Sequence, residues 1–130
     1  MRYLLDTCTL IWFFEGSDRI GATLRDHLTD PAHELFASDV SLLEITIKHQ
    51  LGKFPLPGAP SRLIPALAAR HGIEFIALNR AHIAKLEVLP LLHRDPFDRL
   101  LLATALVESM PLVTPDPLVA QYRAPVLWRV

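Results

Sequence analysis

Four carboxylates stand where a core should carry apolar side chains. Asp6 ends the run Tyr3-Leu4-Leu5, and Glu44 lies inside Val40-Ser41-Leu42-Leu43-Glu44-Ile45-Thr46-Ile47. Asp98 opens Asp98-Arg99-Leu100-Leu101-Leu102-Ala103-Thr104-Ala105, and Asp116 follows Leu112-Val113-Thr114. A charge in a half-buried position is costly unless it is paired or meets a cation. These segments offer few basic partners. If the four acids converge, their mutual repulsion calls for a divalent ion. Oxygen ligands without a Cys/His cluster suit Mg²⁺, with Mn²⁺ as the alternative. Such an ion can acidify a bound water and stabilise developing negative charge, which points to an enzyme rather than a plain binding domain.

The elements that must position these acids alternate between strand and helix. A short apolar strand over Arg2–Leu5 leads into a helix through Thr9–Phe14, and a second helix spans Ile20–Leu28. Leu35–Ser38 reads as the second strand; Ser38 or Ser41 then leads into a helix from Leu42 to Leu51 that Gly52 closes. Pro55, Pro57, Gly58 and Pro60 make a stiff connector. Ser61–His71 is helical, with Pro65 expected in its first turn. A third strand over Ile73–Leu78 and a helix over Arg80–Leu86, capped by Asn79, come next. Asp95-Pro96 starts a helix that runs to about Ser109, since Asp is a good N-cap and Pro suits the first helical position. Met110–Thr114 is the fourth strand, and a last one lies around Pro125–Trp128. This alternation predicts an α/β fold: a three-layer α/β/α sandwich with a central parallel sheet. Ligands of such sheets bind beyond the carboxyl ends of the strands. Asp6 and Asp116 end strands there, and the helices carrying Glu44 and Asp98 start there. Glu44 also has a structural reading, because Ser41 and Glu44 have capping-box spacing.

A chain of 130 residues fits a single domain over residues 1–130. The hydrophobic fraction of 51% and charged fraction of 21% are those of a globular protein, not a disordered one. The net charge of −1 advertises no nucleic-acid partner, yet ten of the thirteen basic side chains are Arg, which suits bidentate phosphate contacts. The lone Cys8 excludes an internal disulfide and fits a cytoplasmic location; its thiol reads as packing more readily than as a nucleophile. No apolar stretch is long enough to span a membrane.

Four segments, in order, carry a family resemblance: Leu4-Leu5-Asp6-Thr7, Ser41-Leu42-Leu43-Glu44-Ile45-Thr46-Ile47-Lys48, His93-Arg94-Asp95-Pro96-Phe97-Asp98-Arg99-Leu100-Leu101, and Pro111-Leu112-Val113-Thr114-Pro115-Asp116. The chain resembles PIN-domain proteins, and among them the VapC-type toxins of type II toxin–antitoxin systems. The resemblance implies that Asp6, Glu44, Asp98 and Asp116 form the catalytic metal cluster of an Mg²⁺- or Mn²⁺-dependent endoribonuclease. Asp116 carries the least weight, because the fourth acid varies most in that family. It also implies an RNA substrate, a small cognate antitoxin and a homodimer. Attack by water would leave a 5′-phosphate and a 3′-hydroxyl.

Around this centre Thr7, Ser41 and Thr114 are candidates to orient acids or water. Lys48, Lys53, Arg94 and Arg99 are candidates for a basic rim holding RNA phosphates, though Lys48 can equally pair with Glu44 one turn away. Asp95 is explained by its cap, and His93 reads as a surface residue. Trp12, Phe13 and Phe14 cannot all face one side of a helix, so part of this run, with Phe54-Pro55-Leu56-Pro57, is expected at a partner surface. Two rivals compete. A phosphoryl-transfer domain would use Asp6 as nucleophile but lacks a second acid in Asp6-Thr7-Cys8. A catalytically silent PIN-like module would bind RNA or protein without cutting.

Overall fold

The computed structural model describes residues 1–128. Five parallel strands form one sheet: β1 (Arg2–Leu5), β2 (Glu34–Ser38), β3 (Ile73–Ile76), β4 (Leu112–Val113) and β5 (Val126–Leu127), in the order β3-β2-β1-β4-β5. The helices are α1 (Thr7–Glu15), α2 (Ala22–Leu28), α3 (Asp39–Gln50), α4 (Pro60–Arg70), α5 (Arg80–Val88), α6 (Pro96–Val107) and α7 (Pro117–Ala120). The α/β/α sandwich expected from the alternation of elements is the one found.

Strand periodicity builds the two cores. On β1, Tyr3 and Leu5 face a cluster with Leu10, Phe13, Leu24, Ile45, Ile64 and Val113. The intervening Leu4 faces the opposite side, with Phe36, Val40, Leu101, Leu102 and Leu112. A strand buried on both faces must be apolar at every position, which is why β1 shows no polar alternation. The chain winds outward from β1 through β2 to β3, then crosses back to place β4 on the other side of β1. The reversal lies between β1 and β4, where Leu5 is in register with Val113 and the Asp6 N–H donates to the Val113 carbonyl at 3.1 Å. Strand order thus opens a crevice beside the carboxyl end of β1.

Local details shift some expected boundaries. Helix α1 begins at Thr7, directly behind Asp6, whose side chain caps it. Helix α3 is capped by Ser38, whose hydroxyl accepts the Val40 N–H; Ser41 and Glu44 therefore lie inside the helix, and the capping-box reading of Glu44 fails. Pro65 sits in the interior of α4, not its first turn, because the helix already starts with Pro60. The Ser61 carbonyl that loses a partner is on an exposed residue, where water can satisfy it.

Leu4 is fully buried at the centre of the sheet. Its replacement in Leu4→Ala should lower unfolding free energy by about 2–5 kcal/mol, measured by urea denaturation; a loss well under that range would mean that this core relaxes around the deletion.

Candidate metal centre

The crevice at the strand reversal gathers the acids from four separate elements. Asp6 leaves the end of β1 with only 5% of its surface exposed. Its Oδ1 accepts the Thr9 N–H at 2.8 Å, and the Cys8 thiol points at the same carboxylate. Burial raises its pKa above the ordinary carboxylate range, although hydrogen bonds from Thr114, Thr9 and Cys8 oppose the shift. Asp116 follows β4 and caps α7 with Oδ1, which accepts the Leu118 N–H at 2.9 Å. Thr114 stands at both strand ends: its hydroxyl is near enough to Asp6 to oppose the rise in that acid's pKa, and it accepts the Asp116 N–H at 3.2 Å.

Helices deliver the other two acids. Because α3 follows β2 directly and α6 runs back toward β4, both start at the carboxyl edge of the sheet. Asp98 lies in the first turn of α6, behind the Asp95 cap, which accepts the Phe97 N–H at 2.8 Å. Its pKa is raised to about 7, by burial first, then by the negative charges of Asp95, Glu44 and Asp6, with His93 opposing. Glu44 and Asp6 thus lie close enough to Asp98 to repel its charge. Glu44 is 5% exposed and pairs through Oε2 with Lys48. Its Oε1 is buried without a partner. A buried carboxylate oxygen without a donor, beside other acids, fits a cation site. The oxygen-rich donor set suits a hard divalent ion.

His93 belongs to this centre, contrary to the surface placement expected from sequence. Its side chain is only 9% exposed, and its Nε2 lies 2.7 Å from Asp116 Oδ2 and 3.2 Å from Asp98 Oδ2. The ligand atoms of His93, Asp98 and Asp116 lie within 4.8 Å of one another, close enough to share one ion. No metal-ligand spacing marks His93 in the sequence. The available signal was its position two residues before the helix cap Asp95, which holds it at the mouth of the same crevice.

The remaining candidates divide. Thr7 and Ser41 bond each other through their hydroxyls at 2.9 Å, joining α1 to α3 beneath the acids. Cys8 has its thiol pushed up to about 12 by burial and by the Asp6 charge, so it stays protonated near neutral pH and is no nucleophile. Arg99 leaves the proposed basic rim: its guanidinium donates to the Leu89 carbonyl at 3.1 Å, closing the carboxyl end of α5. Lys53 and Arg94 are exposed. Of the aromatic run, Phe13 is core, whereas Trp12 and Phe14 are only partly buried. Phe14 lines an apolar groove of 490 Å³ with Ile11, Phe54, Leu56, Leu63 and Leu67. The groove is built from α1, α4 and the connector between α3 and α4, and none of the four acids lines it.

The raised pKa values of Asp6 and Asp98 fix a sign. The folded protein binds these protons more tightly than the unfolded chain, so metal-free stability should fall as pH rises from the ordinary carboxylate range to about 7. Thermal unfolding in EDTA across that interval should show the decline, and Asp98→Asn should flatten it. A rise in stability over the same interval would contradict the assigned electrostatics.

No curated protein matches this sequence. Among solved structures, the chain is similar to VapBC2 from Rickettsia felis bound to a DNA fragment from their promoter, with 16% identity, a TM-score of 0.66 and 98% of each chain covered. It is also similar to VapBC-1 from nontypeable Haemophilus influenzae, with 20% identity, a TM-score of 0.67, and 99% of this chain and 97% of that one covered. FitAcB from Neisseria gonorrhoeae shares 18% identity at a TM-score of 0.67, over 98% of this chain and 99% of that one. At such identities the likeness is one of fold. The sequence itself carries the family signal: the PIN domain model matches residues 3–124, which spans every acid of the crevice, and the chain belongs to the PIN domain family.

Proposed function

We propose that this protein is a metal-dependent endoribonuclease that hydrolyses RNA phosphodiester bonds and acts as the toxin of a toxin–antitoxin pair. The observation that carries the reading is Glu44 Oε1, a buried carboxylate oxygen with no partner beside Asp6 and Asp98 in a PIN-domain crevice. Asp6, Glu44, Asp98 and Asp116 are the proposed catalytic and metal-holding residues, and Mg²⁺ or Mn²⁺ the proposed ion. Such an ion, when bound, supplies charge to the phosphoryl oxygens and lowers the pKa of water. Asp6 and Asp98 would hold it. Glu44 Oε1 is free to orient the attacking water and take its proton, while Lys48 keeps the other oxygen fixed. Thr114, next to Asp6, would help to keep that carboxylate ionised. Lys53 and Arg94 would meet RNA phosphates without reading bases.

The partner side of the proposal rests on the solved relatives whose names pair a toxin with an antitoxin, among them a toxin-antitoxin complex from Klebsiella pneumoniae. A small cognate antitoxin would cover Trp12 and the apolar groove at Phe14 and Phe54, and the toxin would form a homodimer. No helix among the described residues is long and apolar enough to cross a membrane. A cytoplasmic location, where RNA and antitoxin meet the toxin, completes the proposal.

Purified antitoxin-free protein should cut a broad RNA panel with Mg²⁺ or Mn²⁺ and stop with EDTA. Asp6→Asn and Asp98→Asn should each lower the cleavage rate by roughly a thousandfold while leaving the fold intact. Cleavage that persists without divalent ions would reject the mechanism; RNA bound but never cut would identify a silent PIN module.

Trp12→Ala should weaken binding of the small protein encoded beside this chain more than it alters RNA cleavage. Titration calorimetry and light scattering decide the point. Unchanged affinity would remove the contact, and a strict monomer would remove the homodimer.

A further inference from the structure

His93 is held on three sides before it reaches the acids. Its backbone N–H donates to the Tyr122 hydroxyl at 2.7 Å, and the neighbouring Leu92 N–H donates to the same oxygen at 3.1 Å. Its ring Nδ1 lies 3.0 Å from the Asp95 N–H and accepts that proton. Asp95 is committed in turn as the cap of α6. A ring nitrogen that accepts a hydrogen bond carries no proton, so the proton of the imidazole resides on Nε2. That N–H donates to Asp116 Oδ2 at 2.7 Å, and Asp98 Oδ2 lies 3.2 Å from the same nitrogen. A metal ligand would need the Nε2 lone pair and hence a proton on Nδ1, where it would face the Asp95 N–H donor.

We infer that His93 is the resident occupant of the Asp98–Asp116 side of the centre: in the metal-free protein its Nε2–H is bonded to Asp116 with Asp98 close beside it, bridging the two acids by its position, and a divalent ion entering there displaces it. The inference rests on the proposed metal centre and assigns His93 a role opposite to that of a ligand. The bridge offsets repulsion between acids while no ion is present, and it competes with the ion for the same carboxylate oxygens. The Asp95 cap sets the ring's tautomer, so the start of α6 decides which side of His93 faces the metal. The net effect is a centre that is stable when empty and binds its cation less tightly than bare acids would.

Titration calorimetry with Mn²⁺ alone, together with thermal unfolding in EDTA, tests this on the full chain. His93→Ala and His93→Phe both remove the Nε2–H, and Phe keeps a ring of similar size if Ala fails to fold. Each variant should bind Mn²⁺ about fivefold more tightly than the unaltered protein, the effect of losing one competing hydrogen bond. Each should also melt at lower temperature in EDTA. Weaker or unchanged Mn²⁺ binding in a folded variant, when the unaltered protein binds, overturns the inference and leaves the metal centre standing. Absence of Mn²⁺ binding in all three proteins overturns both. NMR of isotopically labelled histidine nitrogens gives a readout without substitution. Nε2 of His93 should carry the proton in EDTA and keep it, with an altered shift, when Mg²⁺ is added. A transfer of that proton to Nδ1 on adding Mg²⁺ would make His93 a ligand and overturn the inference.

Discussion

Negative charge crowded into a half-buried crevice is the constraint around which the rest of this molecule is arranged. Asp6 and Glu44 are buried, and Asp98 is repelled by Asp6, Glu44 and Asp95. Buried carboxylates near other acids are ordinarily avoided, because desolvation and repulsion act in the same direction. The chain meets the problem with donors. Thr114, the Thr9 N–H and Cys8 serve Asp6, Lys48 serves one oxygen of Glu44, and His93 serves Asp98 and Asp116. These donors are incomplete, since Glu44 Oε1 has none. Stability is thus held below what an apolar crevice would give, and a divalent ion is the group that would recover it.

Topology explains why this happens at one place. The strand order reverses beside β1, and a reversal leaves the carboxyl ends of β1 and β4 without a helix crossing between them. Asp6 and Asp116 occupy those ends, and each caps the helix that follows. Capping gives each carboxylate a second duty: one oxygen fixes the backbone while the other side of the group stays turned to the crevice. Asp95 repeats the device one turn before Asp98. Anionic caps at successive helix starts also place the positive ends of the helix dipoles around the acids, which eases their crowding. The scaffold that repels itself is therefore also the scaffold that starts the helices.

Much of this was legible in the sequence, and the reasons are specific. Short apolar runs with an acid just beyond them, Tyr3-Leu4-Leu5 before Asp6 and Leu112-Val113 before Asp116, marked β1 and β4, and Asp95-Pro96 marked the start of α6. The convergence of Asp6 and Asp98 followed from parallel topology alone. Three features were not legible. The choice of Ser38 over Ser41 as cap of α3, which frees Glu44 from a capping duty, depends on where β2 ends, and strand ends are set by pairing with β3. The burial of His93 depends on Tyr122, far along the chain. The diversion of Arg99 to the carbonyls of α5 depends on how two helices pack, which no local pattern encodes.

The central claim is that the acid crevice is a divalent-cation site. Crystals grown with Mn²⁺ and measured for its anomalous scattering test it most directly. The account requires a Mn²⁺ peak in direct contact with carboxylate oxygens of Asp6 and Asp98, with Glu44 Oε1 facing it directly or through water. Crystals with Mn²⁺ bound elsewhere, or with the crevice free of any peak at millimolar Mn²⁺ and neutral pH, would contradict it.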